Sequence, residues 1–151
     1  MDLERWKNNG WLREHKTSVK EIKAIMALVE RDLEEATKKE ISLDWRYNIT
    51  YNAGLQLSTA VLYTAGYRAG RGESKHYRII QTVPLVMGEQ FSRMRDYLDN
   101  CRRKRNVSEY DAAGTISVKE VEDIIQLVKE FKIEVENWFQ KNHPNIYTKI
   151  K

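Results

Sequence analysis

The densest chemistry in the chain is one run, Cys101-Arg102-Arg103-Lys104-Arg105-Asn106-Val107-Ser108-Glu109-Tyr110-Asp111. On a helix it places guanidiniums, an amide and a phenol within about two turns. Guanidiniums hold phosphate oxygens in a bidentate fork, and an asparagine can orient an arginine or bind a sugar hydroxyl. The same residues also suit a solvated helix end, because cations there meet the negative pole of the helix dipole. Cys101 falls on the apolar side of this segment, where a lone thiol usually packs as a small hydrophobe. A single cysteine cannot form an internal bridge.

Other chemistries lack their residues. The chain has no G-x-x-x-x-G-K-[ST] phosphate loop, and Gly66, Gly70 and Gly72 do not form a dinucleotide fingerprint. His15, His76 and His143 have no metal-ligand spacing. No metal and no cofactor is therefore implied. The net charge of +4 says little by itself, but its distribution says more. Arg68, Arg71, Lys75 and Arg78 cluster in one segment, and Arg102, Arg103, Lys104 and Arg105 in another. Brought together, these two segments would attract phosphate; kept apart, they are two solvated turns.

The elements that must position these groups read as helices, in an all-α bundle of four to five. Ser18-Val19-Lys20-Glu21 and Ser117-Val118-Lys119-Glu120 both carry the capping-box pattern. Apolar stripes follow each at helical spacing: Val19, Ile22, Met26, Val29, Leu33 and Ala36, widened by Ile25 and Leu28, and then Val121, Ile124, Val128, Phe131, Val135 and Trp138. Residues 43 to about 68 read as a central helix, whose small residues Ala53, Gly54, Ala60 and Ala65 permit close neighbours. A further helix runs from 75 to 86, and another starts near 88 with Phe91, Met94, Leu98 and Cys101 on one face. Strand alternation is absent, and short connections favour an antiparallel arrangement. The expected organisation is an N-terminal arm over 1–17, docked through Trp6 and Trp11 on the bundle or a partner subunit, a bundle over 18–142 and a tail over 143–151. The longest central apolar stretch, 60–65, is far below the roughly 20 residues that span a bilayer. The first residues lack the apolar run of a secretory signal. A cytoplasmic protein without membrane association is expected.

Residues 43–138 resemble the HEPN superfamily of small prokaryotic helical-bundle proteins. The resemblance rests on Tyr51-Asn52-Ala53-Gly54-Leu55-Gln56-Leu57, Ala65-Gly66-Tyr67-Arg68, His76-Tyr77-Arg78 and Arg105-Asn106-x-x-x-Tyr110, followed by Gly114-Thr115 and an amphipathic helix. Active HEPN ribonucleases carry R-N-x-x-x-H, often extended as R-x-x-x-x-H-x-Y. They cut RNA without metal at a composite site between two protomers, where arginine supports phosphate and histidine assists proton transfer at the 2′-hydroxyl. The resemblance therefore implies a homodimer. It makes Arg105, Asn106 and Tyr110 the candidate catalytic residues, and Arg68, His76, Arg78, Arg102 and Arg103 the candidate nucleotide- or RNA-binding residues.

The motif is degenerate here. Tyr110 holds the histidine position, and a phenol titrates near 10 where imidazole titrates near neutrality, so it is a poor base at pH 7. In a second register Arg103 and Tyr110 match the longer motif, and Ser108 holds the histidine position. His76 could supply an imidazole from another helix. The implied function is a nucleotide- or RNA-binding module with weak or absent catalysis, in a toxin–antitoxin or defence setting. Two alternatives stand beside it: a divergent metal-independent ribonuclease, and a noncatalytic interaction protein paired with a nucleotidyltransferase. The last follows from family members whose final motif tyrosine receives AMP from such a partner; Tyr110 is the corresponding residue.

Overall fold

The computed structural model describes residues 2–72, 74–110 and 114–150, with the side chains of 107–110 left out. Helices dominate, at 77% of the structure. In chain order the elements are α1 (Leu3–Asn8), β1 (Leu12–Glu14), α2 (Val19–Ala36), α3 (Leu43–Thr64), β2 (Tyr67–Ala69), α4 (Lys75–Met87), α5 (Ser92–Tyr110), α6 (Val118–Asn142) and α7 (Pro144–Ile150). A 3₁₀ turn, Glu89–Phe91, leads into α5.

Helix starts follow the serine signals. Ser117 Oγ accepts from Glu120 N at 3.1 Å and Glu120 Oε1 accepts from Ser117 N at 3.0 Å, a complete capping box. At Ser18 only the serine half forms, accepting from Glu21 N at 3.1 Å. The Glu21 carboxylate turns instead to Thr17 Oγ1 at 2.6 Å and His15 Nε2 at 2.7 Å. The expected box at Ser18 is thus half a box, because better donors sit beside the glutamate.

The bundle forms around α3, which packs against α2, α4, α5 and α6. Its buried residues surround it, from Tyr47 and Tyr51 through Leu57 to Leu62, so it has no single apolar stripe. Gly54 explains how close its neighbours come. A β-carbon there would lie 2.9 Å from Leu98 of α5 and 3.4 Å from Val128 of α6. Facing residues Ile22, Val29, Leu98, Ile124, Phe131 and Phe139 are fully buried, and each contributes roughly 1.5–3 kcal/mol of transfer free energy. On α2 the stripe is buried as expected apart from a partly buried Val19, and Ile25 joins it while Leu28 stays exposed.

Two features depart from an all-α reading. The central helix stops at Thr64, not near Arg68, because Gly66 takes φ +94° and reverses the chain. The next three residues form β2, antiparallel to β1 with Leu12 opposite Ala69, Arg13 opposite Arg68 and Glu14 opposite Tyr67. Strands of three residues are too short for alternation to show, and each exists only because the other supplies its backbone partners. Gly70 lies so close to the Gly10 carbonyl that a β-carbon would collide with it.

The arm is accordingly structured. Trp6 is buried and packs edge-on to Trp11, with ring centroids 5.3 Å apart. The segment expected as a tail contains α7, which packs on α2 and α6 and buries Ile146. Pro84 lies inside α4, where its missing N–H removes the bond to the Ile80 carbonyl; the helix nevertheless continues to Met87. Among the described residues, no helix is long and apolar enough to cross a membrane.

Candidate functional site

Helices α4 and α5 pack against each other and against α3. Between the start of α4 and the middle of α5 opens a cleft of about 460 Å³, lined by Ser74, Lys75, His76, Tyr77, Arg102 and Asn106. Arg102 and Asn106 are four residues apart on one helix, which puts both on the same face. The α4 N-terminus has no side-chain cap hydrogen bond and no acidic residue in its first turn. Ser18, Ser42 and Ser117 by contrast cap α2, α3 and α6. The positive end of α4 thus faces a cleft that already holds cationic side chains.

Asp99 holds Arg102 in place. This carboxylate is only 5% exposed. It accepts from Arg102 Nε at 2.9 Å through one oxygen and from Arg103 Nη2 at 2.8 Å through the other. Burial pushes the Asp99 carboxyl up, but hydrogen bonds and charge from the two arginines outweigh that and leave it below its ordinary value. The Arg102 guanidinium also lies over the Tyr77 ring, 5.4 Å from its centroid. Arg102 is oriented by an acid beneath it and an aromatic beside it.

Arg105 lies over Tyr51 of α3, 5.5 Å from the ring centroid. The Tyr51 ring lies 6.3 Å from that of His76. Tyr51 is buried, and its hydroxyl has no hydrogen-bond partner among the described residues. Burial raises its pKa far above that of free tyrosine, so the phenol stays protonated. His76 is half-buried. Burial, then the charges of Arg105, Lys75 and Arg102, hold its pKa below the ordinary 6.5. At neutral pH the ring is a neutral imidazole, able to accept a proton.

The structure brings His76, Arg102 and Asn106 to one cleft, with Arg105 close enough to act on His76 electrostatically. It does not bring every candidate there. Arg103 shares Asp99 but points outward, with 65% of its side chain exposed. Arg78 lies 4.3 Å from the centroid of Trp11 and ties the N-terminal arm to α4. Arg68 stands on β2 and lines a neighbouring hollow that shares Lys75 and His76 with the cleft. Tyr110 ends α5, but its side chain and that of Ser108 lie outside the described residues. Cys101 is buried beside Tyr47, and burial pushes its thiol up to about 11, which suits packing and not attack. Among the described residues, no group of three or more His, Cys, Asp or Glu could hold a metal ion.

Sequence reasoning missed two contributors. Asp99 was legible as an acid three and four residues before arginines on a helix. Tyr51 carried no local signal; only the packing of α3 under α5 puts its ring beneath Arg105.

No family model matches this chain, and neither a curated protein nor a solved structure does.

Proposed function

We propose that the α4–α5 cleft binds phosphate of a nucleotide or RNA chain, and that helices α3 to α6 form a HEPN-like antiparallel bundle around it. The observation that carries the reading is the convergence of Arg102, Asn106, Lys75 and His76 on one cleft from two successive helices. Among the described residues the cleft lining contains no acid; Arg102 is paired with Asp99 beneath it, and Lys75 adds a second cation. Arg102 keeps a fixed orientation through Asp99, so little rotamer entropy is lost when it meets a ligand oxygen. Binding of single-stranded RNA should weaken steeply with salt, and should weaken further in Arg102→Ala and Arg105→Ala. RNA binding indifferent to salt and to both substitutions would exclude the proposal.

A second reading is a metal-independent ribonuclease, and one observation favours it. His76 supplies a neutral imidazole beside Asn106 and Arg102, in place of the motif histidine that Tyr110 replaces. Arg105 would stabilise phosphate charge, and His76 would take the 2′-hydroxyl proton. Cleavage of RNA in EDTA, lost in His76→Gln while RNA binding persists, supports it; intact RNA at high protein concentration removes it. The same family reading makes the protein a homodimer in a toxin–antitoxin or defence setting, with a nucleotidyltransferase as a candidate partner. A scattering mass of one chain at micromolar concentration would contradict the dimer.

A further inference from the structure

The cleft has a neighbour. A hollow of about 200 Å³ lies beyond Lys75 and His76, which form a wall common to both. Leu55, Leu62 and Ile79, all buried, give it apolar sides. Beside the Lys75–His76 wall, its polar side chains include Gln56, Tyr63 and Arg68. The Thr59 hydroxyl also lines it, but its proton is committed to the Leu55 carbonyl at 2.8 Å.

Arg68 is the unexplained residue. Its Nε is buried and has no hydrogen-bond partner among the described residues. The charge of Arg68 reaches Glu21 and helps lower its pKa, a minor cause after the hydrogen bond from Thr17, but that carboxylate is bonded to Thr17 and His15. A desolvated guanidinium N–H with no acceptor costs on the order of 1–3 kcal/mol.

We infer that this hollow receives a pyrimidine base whose phosphate sits in the Arg102–Asn106 cleft, the sugar crossing the Lys75–His76 wall. The inference rests on the phosphate reading of that cleft and names the ligand class for it. Size argues for one ring: an apolar cavity of roughly 150 Å³ holds a benzene, so about 200 Å³ suits a six-membered ring with its exocyclic groups and crowds a purine. The apolar sides face the ring. The Arg68 guanidinium, which lines the hollow, donates to a base carbonyl, which every pyrimidine carries at C2. The Gln56 amide both donates and accepts, so it can pair with the base edge of uracil or cytosine. A second phosphate would leave the apolar sides without a role.

The test is calorimetric titration of the full chain with inorganic phosphate, ribose 5-phosphate, UMP and AMP. UMP should bind at least roughly tenfold more tightly than ribose 5-phosphate, since one of the added hydrogen bonds comes from a charged donor. AMP should show little gain over ribose 5-phosphate. Gln56→Leu and Arg68→Lys, each confirmed folded by its melting curve, should remove the UMP gain and leave the affinity for inorganic phosphate unchanged. If phosphate binds and Arg102→Ala abolishes it, yet UMP gains nothing or AMP gains as much, the base-binding inference falls and the phosphate reading stands. If neither inorganic phosphate nor any of the other three ligands binds, both fall.

Discussion

Alanine at Arg102 and alanine at Arg103 remove the same charge from adjacent residues that share one carboxylate. Arg102 is bonded to Asp99 at 2.9 Å and Arg103 at 2.8 Å, so the two look equivalent within the helix. They differ in what else they face. Arg102 has 22% of its side chain exposed and lines the cleft; Arg103 has 65% exposed and does not. A hydrogen bond from a charged donor contributes about 1.5–3 kcal/mol. Loss of it at Arg102 should weaken RNA roughly tenfold to 150-fold. Arg103→Ala should lose only distant attraction, within about threefold, since a screened surface charge contributes little. The salt dependence gives a second readout. Each phosphate contact on a single strand contributes about 0.7 to the log–log slope, so Arg102→Ala should lower the slope by about that amount and Arg103→Ala should not. Fluorescence anisotropy of a labelled single-stranded RNA across a potassium chloride series measures both quantities. Equal losses for the two variants, or the larger loss at Arg103, would refute the assignment of the cleft.

His76 is held below its ordinary pKa, so the unfolded chain binds a proton that the folded chain resists, and stability falls as pH drops through that window. In His76→Gln the fall in melting temperature from about pH 7.5 to about pH 5.5 should shrink, with a remainder because burial also lowers the pKa of His143. Asp99 behaves with the same sign at lower pH: its pKa is lowered, so its stabilisation is present above the unfolded value of 3.8 and lost as pH falls through the folded value. Asp99→Ala should cost about 2 kcal/mol by urea denaturation and also weaken RNA binding, because Arg102 loses its anchor. Gly54→Val should destabilise by roughly 1–3 kcal/mol in the same assay, since even a β-carbon meets Leu98 at 2.9 Å. Ser117→Ala should cost about 1 kcal/mol through loss of the capping box, with RNA affinity unchanged.

The sequence alone determined the helical character of the chain. Local signals carry that information: stripes at a period of 3.6 residues, and serines whose hydroxyls accept from backbone amides at Ser18 and Ser117. It also exposed the Arg102–Asn106 run as chemistry on one helix face. It did not reveal the two strands, since Leu12–Glu14 and Tyr67–Ala69 are three residues each and acquire their conformation from pairing across the chain. Nor could it separate Arg102 from Arg103, or Arg78 on Trp11 from His76 in the cleft. Neighbouring residues of one type differ only in direction, and direction is set by what the helix packs against. Tertiary structure alone decided that α4 presents His76 to α5, that Tyr51 lies beneath Arg105, and that Arg68 lines a hollow. These are contacts between residues far apart in sequence. Burial and the field of neighbouring charges, which bias His76 toward its neutral form, exist only once the helices have met.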